Sequence, residues 1–111
     1  MIHILTSHAT EKQVAEMLEE LGDYIKLAVD IRRGIIAGGG ALHADCEEIL
    51  LIEGSDQEDI WGADWEPSIQ QLKFGALINI RPGQNNPSME ILDPNIRARL
   101  SEIVSNLFGN I

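Results

Sequence analysis

From Tyr24 onward the hydrophobic period of this chain changes from about 3.6 residues to two, and that change limits the folds open to it. Ile25, Leu27, Val29 and Ile31 alternate with Lys26, Ala28, Asp30 and Arg32. This is the pattern of a strand with one side against a core. Arg32-Arg33-Gly34 follows as a short hairpin loop, with glycine where a positive φ is expected. Ile35, Ile36 and Ala37 begin a return strand that runs through Gly38-Gly39-Gly40 to about Leu42. Three consecutive glycines weaken a strand and offer nothing to pack. They predict a bulge, or a neighbour or ligand lying close to the main chain.

Helical stripes flank this hairpin. Thr10 opens a helix, with Gln13 in capping-box spacing. Val14, Met17, Leu18 and Leu21 form its apolar stripe, and Gly22 ends it. Near the other end Asp93-Pro94 reads as an N-cap followed by proline at the first helical position. Ile96, Leu100, Ile103, Val104 and Leu107 then form a second stripe, closed by Gly109. Asp45-Cys46-Glu47-Glu48 reads as the start of a short helix over about 45–53, with Asp45 as its cap and Gly54 as its stop. A strand is the open alternative there, because Ile49-Leu50-Leu51-Ile52 does not alternate with polar residues. Trp61, Ala63 and Trp65 predict a third strand. Leu72, Phe74, Ala76, Ile78 and Ile80 predict a fourth, the longest in the chain. Ile2 to Leu5 is a further short strand candidate outside this set. The expectation is a single α+β domain over 1–111, with an antiparallel sheet of about four strands in the order α-β-β-α-β-β-α.

Charge narrows the partners. The net charge is −10, with eight scattered basic residues. Duplex nucleic acid and anionic membrane surfaces would be repelled. No apolar run approaches the roughly 20 residues that span a bilayer, and the start of the chain lacks a secretory pattern. Cys46 is the only cysteine, so an internal disulfide is impossible and a cytoplasmic location is expected. Asp45 to Glu66 holds nine carboxylates without a Lys or Arg, which reads as a solvated face, or as a site for a cation or basic partner. The acids of its loop from Ser55 to Asp59 do not fit a calcium loop.

Two groups of residues are candidates for chemistry. His43, Asp45 and Glu47 are spaced by two. On an extended chain they would share a face able to hold a divalent cation, or to act as acid and base. If a helix begins at Asp45 the shared face is lost, and the acids serve its N-terminus. Cys46 reads as a buried apolar residue; the adjacent carboxylates oppose a reactive thiolate. The second group is Asn79, Arg81, Gln84 and Asn85, with Trp61, as a site for a small anionic ligand. The competing reading pairs Arg81 with Asp30 across the strands. Trp61 and Trp65 read as packing residues that, if exposed, would suit a protein partner.

The stretches Gly39-Gly40-Ala41-Leu42-His43-Ala44-Asp45, Gly54-Ser55-Asp56-Gln57-Glu58-Asp59-Ile60-Trp61-Gly62 and Ile78-Asn79-Ile80-Arg81-Pro82 resemble those of a family of small bacterial proteins of unknown function. The helix start Asp93-Pro94-x-Ile96-Arg97 resembles it too. The likeness extends over nearly the whole chain and implies no reaction. Gln84-Asn85-Asn86-Pro87-Ser88 departs from the more Gly- and Arg-bearing loop of that family. Two functional readings follow. One is a binding or interaction module, with a homodimer among its forms. The other is a small metal-assisted hydrolase or ligand-processing enzyme using His43, Asp45 and Glu47, with Arg81 and Asn79 orienting the substrate.

Overall fold

The computed structural model describes residues 1–109. Five strands form one antiparallel sheet: β1 (His3–Leu5), β2 (Ile25–Asp30), β3 (Ile35–Gly38), β4 (Ile60–Glu66) and β5 (Gln71–Lys73). Their spatial order is β1-β3-β2-β4-β5. Three α-helices accompany them: α1 (Glu11–Met17), α2 (His43–Glu53) and α3 (Pro94–Phe108). The α+β class stands as expected. The sheet has one strand more, because Ile2–Leu5 does enter it, and the order becomes β-α-β-β-α-β-β-α. Among the described residues no helix is long and apolar enough to cross a membrane.

The central hairpin forms at the change of period. Asp30 pairs with Ile35 and Leu27 with Gly38, and Gly34 takes φ +70° in the loop. Asp30 is fully buried; one carboxylate oxygen accepts the Arg32 and Arg33 amides, and the other accepts the Ser55 hydroxyl at 2.7 Å. The aspartate therefore shapes the turn from within and does not meet Arg81. The return strand stops at Gly38. Gly39 then takes φ +108°, and a Cβ there would lie 2.2 Å from the Met1 carbonyl oxygen. The glycine triplet thus admits the chain's own N-terminus and α1.

Two layers of side chains cover the sheet. On one side Val14 and Met17 of α1 and Leu100, Ile103, Val104, Leu107 and Phe108 of α3 pack on Leu27, Val29, Trp61, Ala63 and Trp65. On the other, Cys46 and Leu50 of α2 pack on Ala28, Ile35, Ala37 and Ile60. Both flanking helices start as their letters require. Thr10 and Gln13 exchange side-chain bonds with each other's backbone, and the Asp93 carboxylate accepts the Asn95 amide.

The fourth predicted strand is mostly absent. Only Gln71–Lys73 pairs with β4, opposite Asp64 to Glu66. Beyond it the backbone turns to a neighbour downstream: Ala76 N–H donates to Met89 and Ile91 N–H donates to the Phe74 carbonyl. A 3₁₀ turn at Leu77–Asn79 follows, which leaves Leu77 72% exposed. The remaining edge of β4 is answered by side chains. The fully buried Asn79 accepts the Gly62 amide at 2.8 Å and donates to the Gly62 carbonyl at 2.9 Å. Arg81 donates to the Ile60 carbonyl. An amide and a guanidinium stand where a strand would have closed the edge.

Candidate functional site

The sheet face toward α2 is only partly covered, and what remains open holds two adjoining concavities. The first turn of α2 forms one wall of a groove of about 350 Å³, through Leu42, His43 and Ala44. Gly75 to Ile78 and Met89 form the opposite wall, with Lys26 and Asp64 between them. Beside it Tyr24, Asp64, Glu66, Gln71 and Lys73 line a polar basin of about 260 Å³. Asp64 belongs to both. The segment that failed to continue as a strand supplies the groove's apolar wall. Gly62 lets it lie close, since a Cβ there would stand 2.6 Å from that of Ala76.

His43 and Asp64 form the polar pair of the groove. His43 Nε2 lies 2.7 Å from Asp64 Oδ1 and 3.1 Å from the Ala63 carbonyl oxygen. Both neighbours are acceptors, so Nε2 carries the proton and donates to them. The helix begins at His43 with Leu42 as its N-cap, three positions earlier than a cap at Asp45 would have set it. Residues two apart on a helix diverge, and the three expected ligands part company. His43 goes to Asp64. The Asp45 carboxylate accepts the Leu42 amide at 3.1 Å. Glu47 lies 3.3 Å from Arg81. Among the described residues no group of three or more His, Cys, Asp and Glu side chains is placed to hold a metal ion. The acid–base arrangement expected two carboxylates at His43 and finds one. No serine, threonine or cysteine lines the groove, so it offers no hydroxyl or thiol nucleophile.

The second set is divided between core and surface. Arg81 donates to the carbonyls of Ile78, Gln57 and Ile60 as well as to Glu47, and its guanidinium carbon lies 4.8 Å from the Trp61 ring centre. Burial pushes the Glu47 carboxyl up and the Arg81 guanidinium down from their ordinary values, against their mutual attraction. Desolvation outweighs pairing here. Asn79 is spent on main-chain groups, including the Phe74 and Met89 carbonyls. Gln84 bridges Arg81 and the Glu58 carbonyl. Asn85 is exposed and takes φ +59° in a tight turn. Trp61 is 1% exposed and belongs to the core. Cys46 is fully buried, its thiol donating to the Lys26 carbonyl, and burial pushes its pKa up.

The acidic stretch resolves into particular partners. Glu53 pairs with Arg33 at 2.7 Å and Asp59 with Arg32 at 3.0 Å. Asp64 was legible only as a polar letter alternating with tryptophans. Nothing in the sequence joined it to His43, 21 positions away, because the contact depends on where α2 lands on the sheet. No curated protein and no solved structure shows significant similarity to this chain. A family model described as "Protein of unknown function (DUF5674)" matches residues 3–107, and the chain therefore belongs to that family, whose function is unknown.

Proposed function

We propose that this chain is a binding module whose site is the groove between the first turn of α2 and the segment 75–78. The observation that carries this reading is an apolar cleft interrupted by only three polar side chains, Lys26, His43 and Asp64. Small-molecule clefts have this composition, and about 350 Å³ falls at the small end of their roughly 300–1,000 Å³ range. The groove's exposed apolar side chains support the same reading. Leu42, Leu77 and Met89 are 57%, 72% and 49% exposed, a cost in water that a bound hydrocarbon group would remove. His43 and Asp64 hold each other in place, so the polar end is rigid before a ligand arrives.

The three methionines test this directly. Met89 lines the groove, Met17 is buried in the core on the other side of the sheet, and Met1 is exposed at the chain start. With ¹³C-methyl methionine, a mixture of small amphipathic fragments should shift the Met89 methyl and the His43 ring, leaving Met17 in place. Shifts confined to Met1, or a Met89 methyl unmoved at millimolar fragment, would overturn the assignment.

A further inference from the structure

The distribution of paired and unpaired cations says what kind of ligand the groove favours. All five arginines are paired with carboxylates: Arg32 with Asp59, Arg33 with Glu53, Arg81 with Glu47, Arg97 with Glu90 and Arg99 with Glu102. The three lysines form no ion pair among the described residues. Lys12 lies on α1, across the sheet. The other two flank Asp64 in register, Lys26 on β2 and Lys73 on β5. Asp64 nevertheless gives its oxygen to His43. Lys26 donates to the Ala41 carbonyl at 3.0 Å, a neutral acceptor, so it forms no ion pair although Asp64 lies opposite it, and two of its N–H bonds stay free. It lines the apolar groove, whereas Lys73 lines the basin beside Glu66.

A chain with net charge −10 repels anions over most of its surface, so an ammonium without a direct ion pair beside an apolar wall marks the place where one is favoured. We infer that the groove takes a small amphiphile with a single anionic head group of the carboxylate class, the head at Lys26 and a short hydrocarbon tail along Leu42, Leu77 and Met89. This rests on the binding reading above. A phosphate dianion would call for more donors than one lysine supplies. A cationic head would meet Lys26 at the polar end of the cleft, where the carboxylate of Asp64 is already engaged by His43.

The test is a titration of the Met89 methyl signal with octanoate, 1-octanol and octylamine, each below its micellar concentration. Octanoate should bind about tenfold more tightly than either of the others, the size of one charge-assisted hydrogen bond. Lys26→Gln keeps a donor for the Ala41 carbonyl. It should bring octanoate to within about twofold of 1-octanol. Lys12→Gln should leave the preference intact. Octanol or octylamine binding as tightly as octanoate overturns the anionic head while the groove stands, as does a preference that survives Lys26→Gln. If no probe moves Met89, the binding reading fails with it. Should Lys26→Gln not fold, the order of the three probes on the native chain decides.

Discussion

The two faces of the sheet carry unequal burdens. Toward α1 and α3 the core is continuous and its side chains are apolar. Toward α2 the cover is one helix that buries only Cys46 and Leu50 of its apolar residues. The rest of that face is a row of charged and amide groups and an open apolar cleft. The first face holds the fold together; the second leaves part of its surface open. A helix laid across one end of a sheet leaves the strands at the other end uncovered, and there the chain keeps polar residues on β4 and β5.

The contrast predicts unequal penalties. Leu100→Ala, in the closed face, should cost about 2–5 kcal/mol in denaturant melts; a loss under about 1 kcal/mol would show that this face is not the main core. Asn79→Ala comes next. It strips Gly62 of two partners, each buried group costing about 1–3 kcal/mol when left unsatisfied. Amide exchange at Gly62 should quicken in the same variant, and an unchanged rate would mean that the edge of β4 is closed by something else. Leu77→Ala, on the open face, should stay within about 0.5 kcal/mol, and a larger loss would make the groove wall a structural element.

Acid titration sharpens the difference within α2 itself. Burial raises Glu47, so the folded state holds that proton to higher pH than the unfolded chain does. Its contribution is present below the unfolded carboxylate pKa and is lost as pH rises through the folded value. Glu53 is opposite: its hydrogen bond with Arg33 lowers it, so its contribution is present above the unfolded value and lost as pH falls through the folded one. Relative to the native chain, Glu47→Gln should therefore gain stability with rising pH across the acidic range, and Glu53→Gln should lose it. Parallel curves for the two variants would remove the distinction between a buried and an exposed pair.

Periodicity made the closed face legible. The stripe of α3, the alternation of β2 and β4, and the caps at Thr10 and Asp93 are local patterns that each element satisfies alone; the α1 stripe holds for Val14 and Met17 only, since the helix ends at Met17 and Leu21 lies beyond it in a turn. The same logic misread 74–80, where the alternation is as clean as in β2. There the backbone found Met89 and Ile91 instead of continuing along β4, and alternation carries no information about which neighbour a strand will find. It also misplaced the 43–47 group, since spacing by two has meaning only if the chain is extended.

Composition and period by themselves determined the α+β class, the central hairpin and the flanking helices, because burial of an apolar stripe is decided within one element. Which acid meets His43, which carbonyls hold Asn79 and Arg81, and where an open groove remains were decided by tertiary structure alone. The contacts of Asn79 with Gly62, His43 with Asp64 and Arg81 with Gln57 join residues 17, 21 and 24 positions apart, and only the docking of α2 and the turn after β5 bring them within hydrogen-bond reach.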